Sequence, residues 1–252
     1  MCLCILAHQL VSTYPNIIAA NREERYDRPT DAPAWQDGVF AGRDRVAGGT
    51  WQGVNPMGLH VALTNRRVNI TDPERRSRGQ LCLEALRYAS AHAAYNWVLD
   101  HLLHVQYNPC NMLLSDGVDA FCIHYDGHSA RTEILYKGLH LLGDTDINDP
   151  EHPRIKRARQ AFENLPRQMP DLLDGLSSLM AEHSIDKSGI CLHGTHSGTR
   201  SSAIIVLEQR TINSGHFYYT EGPPCSTRYV NLSHKLHQKI REQHERTRKI
   251  SI

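Results

Sequence analysis

The second residue of the chain has the most direct potential for chemistry. Cys2 follows the initiator methionine, and methionine aminopeptidases remove Met1 when the next residue is small. The new terminus carries a thiol and an α-amine on one residue, and an amine with a pKa of about 8 can act as a base beside the nucleophile. This is the chemistry of N-terminal nucleophiles. The alternative is a small buried cysteine at the start of a strand.

Two further polar side chains end apolar runs of strand length. Arg22 follows the run 17–20, and pairing of this strand with the N-terminal strand would bring its guanidinium beside Cys2, where it favours the thiolate. Asn65 ends the run 59–65, where its amide can stabilise an oxyanion. The alternative for the charged run 21–25 is a solvated surface cluster with weak ion pairs.

A glycine-containing turn precedes a third apolar run. The sequence Ser197-Gly198-Thr199-Arg200 enters this run, and the Arg200 guanidinium is suited to anchoring an anionic group.

The cysteines and histidines do not follow a metal-binding pattern. The chain has 7 Cys and 16 His, but they are scattered, and Cys2 and Cys4 form C-x-C rather than a paired zinc spacing. The remaining cysteines are expected to be reduced thiols that pack as small hydrophobic residues. We therefore expect no metal site and no cofactor.

Composition narrows the classes of function. The formal net charge of +1 argues against a nucleic-acid binder. No run of 18 apolar residues exists, so no membrane span is expected, and the N-terminus lacks the basic and apolar regions of a signal peptide. We expect a chain that starts at residue 1 or 2 and stays in a cytoplasmic compartment.

The order of predicted elements favours an α+β domain. Residues 3–11 and 17–20 predict an N-terminal hairpin, 25–45 a long surface loop, and 48–54 and 59–65 two more strands. Residues 80–105 and 154–185 have helical spacing, with strand-like segments between and after them. Strands, helix, strands, helices and strands in this order suggest sheets inside and helices outside.

We expect one domain over residues 1–230 and a polar C-terminal helix or tail over 231–252, in which Leu236 and Ile240 lie four residues apart. An exposed helix there would suit a structural interaction protein.

A set of motifs resembles one family when read in order. They are Met1-Cys2, Ala20-Asn21-Arg22-Glu23-Glu24, Ala41-Gly42-Arg43-Asp44, Gly48-Gly49-Thr50-Trp51-Gln52-Gly53, Ala62-Leu63-Thr64-Asn65, Ser77-Arg78-Gly79 and Gly198-Thr199-Arg200-Ser201-Ser202. The chain closely resembles the NRDE family, also called the transport and Golgi organization protein 2 family, from residue 2 to about 230.

The resemblance implies a fold and a site. The fold would be a four-layer αββα sandwich of two antiparallel sheets, as in N-terminal-nucleophile hydrolases such as penicillin V acylase. By analogy, Cys2 would be nucleophile and base, Arg22 would orient the thiolate, and Asn65 would supply an oxyanion donor. The substrate-binding residues would be Glu23, Thr64, Asp144 and Arg200.

The sequence departs from the family pattern at two of these positions. Glu23 replaces the aspartate of the Asn-Arg-Asp-Glu signature, and Asp144 most nearly fills a position where many members carry asparagine. An ionised aspartate accepts hydrogen bonds and cannot donate one to an oxyanion.

Two functions follow from the resemblance. The first is a cysteine hydrolase that cleaves a C–N amide bond of a small or amphipathic substrate. The alternative is a non-catalytic binding or trafficking protein for haem, acyl-CoA or lipid, in keeping with the family's links to haem trafficking, lipid homeostasis and Golgi organisation. No C-x-x-C-H haem-attachment motif is present.

Overall fold

The computed structural model describes residues 2–68, 71–184 and 188–238. The strands of these residues are β1 Leu3–His8, β2 Asn16–Arg25, β3 Thr30–Gln36, β4 Val39–Asp44, β5 Gln52–Val54, β6 His60–Asn65, β7 Cys110–Ser115, β8 Ala120–Tyr125, β9 Ala130–Ile134, β10 Gly138–Leu142, β11 Ser197–Glu208, β12 Thr211–Thr220 and β13 Val230–Asn231. The helices are α1 Arg78–Ala85, α2 Ala91–His104, α3 Pro153–Glu163, α4 Asp171–Ala181 and α5 Ser233–Leu236.

The strands form two antiparallel sheets. One sheet has the order β10-β1-β2-β11-β12-β13, and the other has the order β3-β4-β5-β6-β7-β8-β9. One apolar cluster lies between the sheets, a second joins α3 and α4 to the six-stranded sheet, and a third joins α1 and α2 to the seven-stranded sheet. The layers are therefore helix, sheet, sheet and helix, and the predicted αββα sandwich is confirmed.

The central strands are apolar on both faces because each face is covered. In β1, Cys4 and Leu6 pack between the sheets, whereas Leu3 and Ile5 pack against α3 and α4. Successive side chains of a strand point to opposite faces, so the even-numbered residues of β1 and β2 face the second sheet. This parity directs Cys2 and Arg22 towards the space between the sheets.

The predicted surface loop over 25–45 is wrong. Residues 30–36 and 39–44 form the hairpin β3–β4, which turns at Asp37 and Gly38, both with positive φ. The edge strand β3 is exposed or half-buried except at Pro33, so it lacks the apolar alternation that marks a strand in sequence. The turn expected at Ser197-Gly198-Thr199-Arg200 is likewise wrong, since β11 runs from Ser197 to Glu208.

The C-terminal segment begins inside the core. Leu232 and Leu236 are buried between the sheets, and Trp35 donates its indole N–H to the Lys235 carbonyl at 2.9 Å. The predicted helix or tail therefore starts with α5 packed on the domain, and residues 239–252, with Ile240, lie outside the described residues. No helix of the described segments is long and apolar enough to cross a membrane.

Candidate active site

The Cys2 side chain lines a cavity of about 470 Å³. Arg22, Glu23 and Asn65 line the same cavity, so the structure brings together four of the seven site residues predicted from sequence. The walls come from the ends of β2, β4 and β6 and from the first turn of α1.

Cys2 lies opposite Arg22. Leu3 pairs with Asn21 in the β1–β2 ladder, and one step further along this register reaches Cys2 and Arg22. Burial raises the pKa of the Cys2 thiol, and the Glu23 carboxylate raises it further, whereas the Glu23 backbone N–H and the Arg22 charge lower it. The site therefore supplies both a hydrogen-bond donor and a cation that favour the thiolate.

The Arg22 guanidinium is held rigidly, yet keeps one donor available. It stacks 4.4 Å from the Trp51 ring centroid, and its Nη2 donates to a Glu24 oxygen at 3.4 Å. The side chain is only 5 % exposed, and Nη1 has no hydrogen-bond partner among the described residues. An unpaired buried donor is costly. Arg22 is thus ready to bind an oxygen of a ligand in the cavity.

Glycines shape the wall behind Arg22. Gly42 on β4 lies against the Trp51 indole, and any Cβ at this position would collide with the ring. Gly49 and Gly79 approach so closely that a side chain on Gly49 would overlap the Gly79 backbone, and the Thr50 N–H donates to the Gly79 carbonyl at 3.1 Å. Three of the glycine motifs in the sequence therefore build the cavity.

Asn65 is the last residue of β6 and is exposed at the cavity. Its carboxamide has two N–H donors, and those are suited to an oxyanion. The same side chain also lines a neighbouring cavity of about 680 Å³, which Glu23 borders as well. Asn65 therefore stands between the two spaces.

The Glu23 carboxylate forms a buried ion pair with an arginine that sequence reasoning missed. Arg154, in the first turn of α3, donates from Nη2 to Glu23 Oε1 at 2.9 Å and to the Ile190 carbonyl, and from Nε to the Gly189 carbonyl. Burial raises the pKa of Glu23, and the Arg154 charge opposes this rise. The pair fixes β2 to α3 directly behind Cys2.

Thr64, Asp144 and Arg200 do not line the Cys2 cavity. The Thr64 hydroxyl donates to the Gly143 carbonyl at 2.6 Å. Thr64 therefore faces the side of β6 opposite to Leu63 and Asn65, which line the cavity. Arg200 lies where the register between β2 and β11 shifts. Burial raises the pKa of Tyr219, and the Arg200 charge opposes this rise.

Asp144 is a buried carboxylate bound by two side chains. It accepts hydrogen bonds from Arg67 Nε at 2.7 Å and from His152 Nε2 at 2.9 Å. Burial alone would raise the pKa of Asp144, but these two hydrogen bonds lower it to about 2. Asp144 is an anion whose oxygens are bound by the protein.

Arginines give the cavity a positive rim. Arg28, Arg75, Arg76 and Arg78 line it in addition to Arg22, against three carboxylates, Glu23, Glu24 and Asp44. The Arg75 Nε is buried without a hydrogen-bond partner among the described residues. The run 75–78 could have pointed to this rim, because three of its four residues are arginine. Arg75 and Arg76 also pair with Asp72 and Glu84 outside the lining. Among the residues that line the cavity the cations outnumber the carboxylates, which favours an anionic ligand.

Comparison with solved structures gives the fold. The chain is similar to penicillin V acylase from Agrobacterium tumefaciens, with a TM-score of 0.62 and 12% identity over 92% of this chain and 86% of that one. It is also similar to the N-acylethanolamine-hydrolyzing acid amidase (NAAA) ortholog of Caenorhabditis elegans, with a TM-score of 0.54 and 14% identity over 81% of this chain and 92% of that one. These neighbours have the N-terminal-nucleophile hydrolase fold.

Comparison with sequences gives the family. The Transport and Golgi organization 2 homolog of Mus musculus is 26% identical over 83% of this chain and 87% of its own length. The Transport and Golgi organization protein 2 homolog of Homo sapiens is 24% identical over 83% of this chain and 87% of its own length. The family model described as Transport and Golgi organisation 2 matches residues 1–221. The resemblance seen in the ordered motifs is therefore confirmed, and this chain belongs to the Transport and Golgi organisation 2 family.

Proposed function

We propose that the protein is a cysteine N-terminal-nucleophile hydrolase that cleaves a C–N amide bond. The observation that supports this most is the convergence of Cys2, Arg22 and Asn65 on one cavity. The names of the structural neighbours describe an acylase and an acid amidase, which supports the same class of reaction.

The first half-reaction forms an acyl-enzyme. After removal of Met1, the Cys2 thiolate attacks the amide carbon, a C–S bond forms, and the carbonyl electrons move to oxygen. The Asn65 amide donates to this oxyanion. The oxyanion electrons then re-form the carbonyl, the C–N bond breaks, and the leaving amine takes a proton from the α-ammonium of Cys2.

The second half-reaction releases the acid. The neutral α-amine accepts a proton from water as the water attacks the thioester carbon. The C–S bond breaks, and the carboxylic acid leaves while Cys2 returns to the thiolate. Arg22 holds this thiolate through its charge, and its unpaired Nη1 is available to an oxygen of the substrate.

The charge of the rim suggests the substrate class. Five arginines and three carboxylates line the cavity, so an acyl amide that carries a carboxylate or phosphate fits it better than a cationic one. Amphipathic acyl amides with an anionic group are the substrates to test first.

The test is amine release from a panel of N-acyl amides with anionic, neutral and cationic amine parts. We expect turnover of anionic members by the wild type, and none by Cys2→Ala. Calorimetry with the same panel identifies the alternative: binding of the amides by both proteins with no amine released by either contradicts the hydrolase and favours a carrier.

A further inference from the structure

Four side chains with soft ligand atoms meet outside the Cys2 cavity. They are His183, Cys191, His193 and Cys225, called here the Cys/His cluster. They come from three segments, namely the residues after α4, the residues before β11, and the loop after β12. None of them lines the Cys2 cavity.

Three atoms of the cluster already have the spacing of a tetrahedral metal site. The two sulfurs of Cys191 and Cys225 are 3.8 Å apart, and His193 Nε2 lies 3.6 Å from Cys191 Sγ and 3.2 Å from Cys225 Sγ. Zinc bond lengths of about 2.3 Å to sulfur and about 2.0 Å to nitrogen give tetrahedral edges of about 3.8 Å between two sulfurs and about 3.5 Å between sulfur and nitrogen. The observed triangle matches these edges within a few tenths of an ångström.

His183 is the candidate for the fourth ligand, because it lies near His193 and Cys225. One ligand atom each of His183, His193 and Cys225 lie within 4.8 Å of one another. His183 Nδ1 lies 3.2 Å from the Ala181 carbonyl, to which it can donate, and this leaves Nε2 available. A ring N–H that donates to a backbone carbonyl is the usual support for a histidine that binds a metal through its other nitrogen.

The backbone holds these segments together independently of any metal. The Cys191 N–H donates to the Glu182 carbonyl at 2.7 Å, which closes the connection between α4 and β11 beside His183. The Leu192 N–H donates to Thr199 Oγ1 at 2.9 Å, which aligns Cys191 and His193. When the backbone is already ordered, metal binding does not have to pay the entropy cost of ordering it, and the affinity is higher.

We propose that the Cys/His cluster binds one Zn²⁺ ion as a tetrahedral Cys₂His₂ site. All four positions are filled by protein, which is typical of a structural rather than a catalytic zinc. The ion would tie the loop after β12 to the connection between α4 and β11. His193 and Leu192 in that connection border the 680 Å³ cavity beside Asn65, so the site would also fix one wall of that cavity.

Proton release accompanies binding. Zinc binds the thiolate, and each ligating cysteine that is a thiol gives up one proton. Zinc affinity therefore falls as the pH is lowered.

Spacing in the sequence could not identify this site. The ligands are spread over 43 positions from His183 to Cys225 without a C-x₂-C pair, and the sequence predicts no metal site. The chain reversal at Pro223, where the Ser226 N–H donates to the Pro223 carbonyl at 3.1 Å, is what returns Cys225 to the cluster.

The test is a Co²⁺ titration of the full chain under a phosphine reductant, followed by displacement with Zn²⁺. All proteins carry Cys2→Ser, because Cys2 and Cys225 are the two cysteines of the described residues that are not buried. Adding Cys225→Ser or His193→Ala removes a ligand, and His196→Ala is the matched control, exposed three residues from His193. Because Cys2 is absent from every protein in this test, the result on metal binding does not depend on whether the hydrolase mechanism is correct.

We expect one equivalent of Co²⁺ with tetrahedral visible absorption and a thiolate charge-transfer band. The Kd for Zn²⁺ should rise at least about 100-fold in Cys225→Ser and His193→Ala, because losing a ligand costs more than losing an outer-shell partner. His196→Ala should bind like its parent. A missing charge-transfer band, or an unchanged spectrum in Cys225→Ser, overturns the proposal.

Discussion

At the scale of single residues, the reactivity of Cys2 is a balance between burial and two favourable neighbours. Burial raises the pKa of the thiol, while the Glu23 N–H and the Arg22 guanidinium lower it. A buried thiolate without such partners would be strongly disfavoured. Burial is the largest of these effects, so the pKa of the thiol stays above its ordinary value and the neighbours limit the rise.

Arg22→Gln should slow alkylation of Cys2. Loss of the cation raises the pKa of the thiol, so the rate with iodoacetamide at pH 7 falls about tenfold and the midpoint of its pH profile moves upward. Arg25→Gln is the matched control, because Arg25 lies on the same strand but pairs with Asp27 in solvent. Equal rates in the wild type and both variants would refute a role for Arg22 in stabilising the thiolate.

Asn65→Asp should lower kcat by about 10²–10³-fold with a smaller change in KM. The substitution keeps the shape of the side chain but replaces its N–H donors with an anionic acceptor, which repels an oxyanion. Steady-state kinetics on the best anionic amide check this. A kcat that stays within a factor of two of the wild type would remove Asn65 from the mechanism.

The sequence predicts some of the residues of the cavity and misplaces others. Arg22 and Asn65 were predictable because each lies at the end of an apolar run. Such positions on neighbouring strands lie at the same end of a sheet. Thr64 was expected at the site beside Asn65, but alternate residues of a strand face opposite sides. Arg200 stands at a register shift, which no pattern in the sequence indicates.

At the scale of elements, an ionic cluster connects β10 to α3. Asp144 follows β10, and His152, which caps α3, accepts the Ile155 N–H on Nδ1 at 3.4 Å and lies 2.9 Å from Asp144 through Nε2. Arg67, after β6, binds the other carboxylate oxygen. The cluster therefore joins both sheets to a helix at one end of the sandwich.

Asp144→Asn should destabilise the protein at neutral pH and weaken its acid dependence. The folded-state pKa of about 2 lies below the ordinary value of 3.8, so the stability from this carboxylate is complete above about pH 4 and is lost as the pH falls towards 2. The shift corresponds to about 2 kcal/mol. Urea unfolding between pH 2 and 7 measures it. Parallel pH profiles for the two proteins would contradict this.

The predicted elements were accurate where burial shapes the sequence. The hairpin β1–β2 and the helices α1 and α2 follow from apolar runs and helical spacing, because each packs on a core. The hairpin β3–β4 was missed, since its outer strand faces solvent and carries Asp31 and Pro33. Exposed edge strands lack the pattern that sequence reasoning depends on.

At the scale of the whole molecule, one sandwich includes part of the segment that the sequence assigns to a tail. Leu232 and Leu236 pack in the cluster between the sheets, although the domain was expected to end at residue 230. The family model ends at residue 221. The apolar positions of this short segment were too few to show, from sequence, that it is buried.

Leu236→Ala should lower the free energy of unfolding by about 2–5 kcal/mol, the range for a large buried side chain cut to alanine. Leu103→Ala is the control, because Leu103 is 79% exposed on α2 and its loss should change stability by less than about 0.5 kcal/mol. Urea unfolding of both variants decides the question. Equal stabilities would place the boundary of the domain before α5.

Intact-protein mass spectrometry, before and after reaction with an acylating probe, tests the central claim most directly. We predict a mass without Met1, a single added acyl group mapped to Cys2, and no addition to Cys2→Ala. Retention of Met1 would lock the α-amine in a peptide bond, and equal labelling of Cys2→Ala would place the reactive group elsewhere. Either result contradicts an N-terminal nucleophile in this cavity.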